Sequence, residues 1–117
     1  MQTVSYKFTK SNRLSQSSDF KKIFTYGKKI RAKFVTIYIH ANQNEQARLG
    51  VVIAKRSLQL ASKRNKIKRV ARESFRQHKN LLQDLDIILV FNSSIKTFEP
   101  KFVKNYLDEQ WKKLTNG

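Results

Sequence analysis

Lys63–Leu82 reads KRNKIKRVARESFRQHKNLL, and the spacing of its apolar residues predicts the clearest helix in the chain. Ile67, Val70, Ala71, Ser74, Phe75 and His78 recur at i, i+3, i+4, i+7, i+8 and i+11, so they share one face. At about 100° per residue, Asn65, Lys68, Arg69, Arg72, Arg76 and Lys79 gather on the opposite side. The helix is half core and half cation. Before it, Arg48–Ala54 (RLGVVIA) reads as a strand. After it, Leu85–Phe91 (LDIILVF) reads as another, apolar on both faces as a parallel or central strand would be.

Working outward, residues 33–40 (KFVTIYIH) are rich in β-branched and aromatic types and predict an earlier strand. Phe34, Thr36, Tyr38 and His40 point one way along it, and Val35, Ile37 and Ile39 the other. Ala41–Gln46 is a polar turn, which predicts antiparallel pairing between this strand and Arg48–Ala54. Ser17-Ser18-Asp19 supplies an N-cap and an acidic first turn. Phe20, Ile23 and Phe24 follow at helical spacing, and Gly27 is placed to end that short helix in a left-handed conformation. Residues 1–16, with Lys7, Lys10 and Arg13, lack a sustained period and read as an extended or mobile basic arm. Asn92-Ser93-Ser94 ends the third strand and Asp84 and Asp86 read as turn and cap residues beside its start. Pro100 suits the first turn of a last helix, with Phe102, Val103, Tyr106, Leu107, Trp111 and Leu114 as its apolar stripe. The expected order is helix, strand, strand, helix, strand, helix. That is an α+β chain, an α/β sandwich with a small mixed sheet and packed helices, in one domain over residues 1–117.

The chain carries 25 Lys and Arg against 8 Asp and Glu, a formal charge of +17 over 117 residues. Self-repulsion on that scale destabilises a folded chain, so a polyanionic partner is expected. Nucleic acid rewards dense Lys and Arg most strongly, because each neutralised phosphate releases a counterion. The absence of cysteine excludes disulfides, thiol chemistry and Cys-ligated zinc or iron–sulfur sites. The longest apolar runs, Leu49–Ala54 and Ile87–Phe91, are too short to span a bilayer, and no secretory signal is read at the start. These features predict a soluble, cytoplasmic protein with no membrane role.

Lys55, Arg56, Lys63, Arg64, Lys66, Lys68, Arg69, Arg72, Arg76 and Lys79 are cations within one short stretch, opposed there only by Glu73. A merely solvated face mixes signs at i,i+4. Lys68, Arg72 and Arg76 instead repeat like charge at that spacing, which costs stability unless phosphate is bound. Arginine can grip phosphate with two parallel hydrogen bonds, and Asn65 can donate and accept at a sugar hydroxyl or base edge. Phe20, Phe24, Phe34 and Tyr38 form an aromatic set that serves either a core or base stacking. His40 and His78 are the only histidines; His78 falls on the apolar face and reads as a packed residue. No paired carboxylates, glycine-rich loop or metal-ligand cluster stands out, so no catalytic residue and no protein-held metal is expected.

Three blocks carry a family resemblance. Lys63 through Arg76 resembles the signature of the bacterial ribonuclease P protein subunit, approximately Arg-Asn-(Arg/Lys)-Ile-Lys-Arg and then Arg-Glu-x-Phe-Arg. Arg13-Leu14, Asp19-Phe20-Lys21-Lys22-Ile23-Phe24 and Gly27 resemble the family's N-terminal pattern. Leu49 through Arg56 resembles its strand before the basic loop. The resemblance implies a ribosomal-protein-S5-domain-2-like fold with a left-handed crossover around the basic helix, against the usual hand. It implies a cofactor of a ribozyme that removes the 5′ leader of precursor tRNA, with magnesium ions held chiefly by the RNA. Arg64, Asn65, Lys66, Lys68, Arg69, Arg72 and Arg76 would bind the catalytic RNA. Phe20, Phe24, Ile37, Lys55 and Arg56 would line a groove for the leader. Lys66 stands where an arginine is common, and a groove position that can be Tyr falls on Ile37, with Tyr38 next to it on the other face. The implied assembly is one protein with one catalytic RNA, acting on precursor tRNA and not on DNA. A ribosomal-type structural RNA binder, a major-groove DNA regulator and a self-contained nuclease are the competing readings.

Overall fold

The computed structural model describes residues 10–42 and 46–116, with Lys10, Thr115 and Asn116 described in backbone alone. Residues 1–9 of the expected arm and 43–45 of the expected turn lie outside the described residues. A 3-10 turn at Lys10–Asn12 leads to α1 (Ser17–Tyr26), β1 (Lys28–Arg31), β2 (Val35–Ala41), β3 (Arg48–Ile53) and α2 (Ala61–His78). A 3-10 turn at Lys79–Leu82 precedes β4 (Leu85–Phe91), and another at Ser93–Thr97 precedes α3 (Pro100–Asn116). The result is a mixed α+β fold, as expected, with one strand more than the sequence reading gave.

The sheet order is β1-β2-β4-β3. β1 and β4 both pair antiparallel with β2, whereas β3 pairs parallel with β4. The expected hairpin between β2 and β3 is therefore not formed. β4 lies between them, the most apolar strand in the most enclosed position. The parallel pair β3 and β4 is joined through α2.

Strand parity divides the interior in two. Val35 and Ile37 of β2, Leu49 and Ile53 of β3, and Ile87, Leu89 and Phe91 of β4 are buried against Ile67, Ala71 and Phe75 of α2 and Val103, Leu107 and Trp111 of α3. The other sheet face packs Ile88 against Ile23 of α1 and Leu14, with Phe20, Tyr38, Val52 and Val90 half-buried around them. α2 and α3 are also tied by polar contacts. Trp111 Nε1 donates to Ser74 Oγ at 2.8 Å, Ser74 Oγ donates to Asp108, and Lys104 Nζ lies 3.0 Å from the other Asp108 oxygen. His78 Nδ1 is 2.8 Å from the Ser74 carbonyl oxygen, the packed boundary role its position implied.

Four local expectations change. Residues 10–16 do not extend as an arm: Leu14 is buried, its N–H donates to Leu49 O at 3.0 Å, and Asn12 Nδ2 donates to Ala47 O at 2.8 Å. Gln16, not Ser17, is the N-cap of α1, and its side chain makes no capping bond. Gly27 is extended, at φ −72° and ψ 156°. It is needed for close approach instead, since a Cβ there would lie 2.5 Å from Ile23 O and 3.0 Å from Ile39 O. Asp86 does not cap; it is a buried ion-pair partner, as described below.

Candidate nucleic-acid interface

The solvent side of α2 is a cationic surface held on a rigid support. Ile67, Ala71, Ser74 and Phe75 are anchored in the core, which fixes where the opposite face points. Asn65, Arg69, Arg72, Glu73 and Arg76 line a shallow cleft of about 420 Å³. Like charges crowd it. Burial, and then the nearby Arg13, push the Arg72 pKa below its ordinary value. Burial, and then Arg76, do the same to Lys79. Such crowding is relieved by phosphate, which neutralises several cations at once. Within the chain the relief is partial: Arg76 Nε donates to Glu73 at 3.0 Å, and Nη2 donates to the other carboxylate oxygen. That contact holds the Glu73 carboxyl below its ordinary pKa.

Not every expected cation shares this face. Arg64 turns toward the preceding loop, where Nη1 donates to Leu58 O at 2.8 Å and to Gln59 O at 2.7 Å. Lys66 lies on the other flank and lines a separate cleft with Lys63 and Phe98. Lys68 is half-buried and lines neither cleft. The split follows from helix geometry, because residues 64 and 66 sit about 100° to either side of residue 65.

The second surface is the sheet face that α1 only partly covers. Phe20 lies over Gly50, where a Cβ would fall 2.6 Å from the ring tip; the glycine lets the helix approach the sheet. Phe20 and Phe24 have ring centroids 6.2 Å apart, and Phe24 meets Tyr38 edge-on at 4.8 Å. Phe24 is 41% exposed. Lys29 Nζ stands 5.7 Å from the Tyr38 ring centroid. Phe20, Phe24 and Tyr38 thus make an aromatic wall beside Thr36, Val52 and Val90, with basic β1 along the edge. Lys55 and Arg56 are exposed and follow the end of β3 by two and three residues.

Ile37 does not belong to this groove. It is fully buried on the opposite sheet face, paired in register with Leu89 and packed among α2 and α3 side chains. Period-two alternation puts Tyr38, not Ile37, on the α1 side. Lys29 and Arg31 were missed because the charged run Lys28–Arg31 has only Ile30 to mark it as a strand. Beneath the groove's end, Arg48 makes a two-pronged pair with buried Asp86, Nε to Oδ1 at 2.7 Å and Nη2 to Oδ2 at 2.6 Å. Asn42 Nδ2 donates to Asp86 Oδ1 at 2.7 Å, and Asp19 of α1 lies 3.5 Å from Arg48 Nη1. The Asp86 hydrogen bonds raise the Arg48 pKa further. This network joins α1 to β3 and β4.

Among the described residues, no three His, Asp or Glu side chains come together to hold a metal ion. No helix is long and apolar enough to cross a membrane among those residues.

The model of the ribonuclease P family matches residues 8–115. The chain belongs to the ribonuclease P protein family. It is 35% identical over 106 residues to the ribonuclease P protein component of Nitrosococcus oceani, covering 91% of this chain and 89% of that one. The ribonuclease P protein of Staphylococcus aureus superposes with a TM-score of 0.78 at 31% identity, over 86% of this chain and 92% of that one. The Thermotoga maritima ribonuclease P protein gives 0.70 at 27% identity, over 83% and 96%. Family membership makes the chain a protein component of a ribonucleoprotein nuclease of tRNA processing. The basic helix, the α1 pattern and the β3 block that suggested the ribonuclease P family lie in one fold, on two distinct surfaces.

Proposed function

We propose that the chain binds the ribonuclease P catalytic RNA through the exposed face of α2 and holds the 5′ leader of precursor tRNA in the groove beside α1. Asn65, Arg69, Arg72 and Arg76 would contact phosphates and sugars of the catalytic RNA, with Lys68 adding charge. Phe20, Phe24 and Tyr38 would stack leader bases, while Lys29, Lys55 and Arg56 screen the leader backbone. The observation that carries this reading is the pairing of a like-charged helix face with a separate, partly open aromatic face. One suits a folded RNA backbone, the other an unpaired strand.

In this reading hydrolysis of the phosphodiester belongs to the RNA and its magnesium ions. No step is assigned to a protein-held metal. The protein lowers the ionic cost of bringing two RNAs together. It also adds affinity for precursor over mature tRNA, which selects substrate over product by ground-state binding. One protein would act with one catalytic RNA in the cytoplasm.

The test is equilibrium binding of precursor and mature tRNA to the reconstituted ribonucleoprotein. Tighter binding of precursor, lost when the leader is trimmed away, supports the reading. Equal affinity for both, with the catalytic RNA bound, removes the leader role and leaves a structural RNA binder.

A further inference from the structure

A cleft of about 560 Å³ opens between the start of α2 and the start of α3, on the helical side of the sheet and away from the α1 groove. Leu58, Leu60, Ile95 and Phe98 give it an apolar lining. Leu60 is 57% exposed at its edge. Phe98 stacks on Phe102, with centroids 5.0 Å apart and planes 18° from parallel, and Phe102 is itself half exposed. Lys63, Lys66 and Lys96 stand on the lining with one carboxylate, Glu99, and none of the three lysines forms an ion pair among the described residues. The wall is preformed, because Arg64 holds the carbonyls of Leu58 and Gln59.

We propose that this cleft seats one unpaired nucleotide of the catalytic RNA, its base against Phe98 and Leu60 and its phosphate among Lys63, Lys66 and Lys96. The inference rests on the reading of α2 as the catalytic-RNA surface. A volume of this order suits a small planar ligand with few polar contacts. The excess of cations over carboxylates favours a phosphate-bearing occupant over an apolar peptide. Gln59, also on the lining, carries an amide able to donate to and accept from a base edge. Continuity selects the catalytic RNA over the leader, since Lys66 of this cleft lies one helical turn from Arg69, which lines the cleft on the exposed face of α2. An RNA crossing the α2 face would reach the cleft without leaving the helix. On this account Arg64 is a positioning residue that shapes the wall.

The experiment measures affinity for ribonuclease P RNA over a range of salt, using the full chain and three variants. Leu60→Ser removes apolar lining without changing charge, Lys96→Gln removes a cation that is not on α2, and Lys113→Gln is an exposed control on α3 outside the cleft. Thermal melting checks that each variant is folded. The proposal expects affinity to fall about tenfold for Leu60→Ser. It expects about a threefold loss for Lys96→Gln with a salt slope smaller by about one, and little change for Lys113→Gln. Parent-like affinity in the first two variants overturns the cleft while leaving the α2 reading intact. Loss in Lys96→Gln alone also overturns it, because a phosphate contact does not need the apolar lining. An effect confined to precursor tRNA binding by the assembled ribonucleoprotein overturns the choice of RNA. Failure of the parent chain to bind the RNA removes the α2 reading and the cleft together.

Discussion

The ring of Phe24 on α1 meets the ring of Tyr38 on β2 edge-on, with centroids 4.8 Å apart and planes 89° from parallel. The contact fixes the helix against the sheet while leaving Phe24 partly open to solvent. Phe24→Ala is expected to weaken precursor binding about tenfold, with a much smaller effect on mature tRNA. Paired titrations of the two RNAs against the ribonucleoprotein check this. Equal losses would assign Phe24 to packing alone.

Ile37, one residue away, should behave in the opposite way. It is fully buried beneath α2 and α3, so Ile37→Ala is expected to cost about 2–5 kcal/mol of stability. Urea denaturation would read that loss. No preference between precursor and mature tRNA should change in the fraction that remains folded.

Gly50→Ala tests how closely α1 must approach. The added Cβ would fall 2.6 Å from the Phe20 ring, and displacing that ring is expected to cost about 1–3 kcal/mol. The groove should loosen too, seen as weaker precursor binding at temperatures where the chain is still folded.

The Arg48–Asp86 pair is predicted to be structural, not a phosphate contact. Arg48→Met leaves a nearly buried carboxylate with only Asn42 facing it among the contacts above, and a cost of about 3–5 kcal/mol is expected. Asp19→Asn removes the longer, half-buried contact of the network and the acidic residue in the first turn of α1, and should cost about 1 kcal/mol. Similar losses in the two variants would contradict this assignment.

Glu73 competes with RNA for Arg76. Glu73→Gln should raise affinity for the catalytic RNA by about threefold, with stability nearly unchanged because the pair is largely open to solvent screening. The pH dependence has a definite sign. The Glu73 pKa is lowered in the folded chain, so the pair's small stabilisation is complete above the usual glutamate range. It is lost as pH falls through the lowered value. The Glu73→Gln chain should lack that component in an acid titration of stability.

What the sequence disclosed followed the length and regularity of each pattern. α2 was legible because its apolar stripe runs over several turns, and β4 because its apolar run suits only an enclosed strand. The pairing of β4 between β2 and β3 was not legible, because the short polar stretch after Ala41 suggested a local hairpin and non-local pairing leaves no mark on neighbouring residues. β1 hid behind its charges, with Ile30 alone facing the core. Alternation separates Val35, Ile37 and Ile39 of β2 from Tyr38, but it puts Phe34 with Tyr38, whereas Phe34 precedes the strand and is buried on the helical side against Phe98 and Tyr106. The family motif, not alternation, puts Ile37 where Tyr38 stands. Arg64 and Lys66 were grouped with the phosphate face by motif; the helix turns them to its two flanks. Asp86 read as a cap because its partner Arg48 lies 38 residues away.

The most direct test of the account is cleavage of precursor tRNA at low magnesium by the catalytic RNA alone, the protein alone, and the two together. Cleavage only with both present is the expected result, with the Arg69→Ala, Arg72→Ala double variant failing to support it. Cleavage by the protein alone, after removal of copurified RNA, would contradict the account by requiring an active site on this chain.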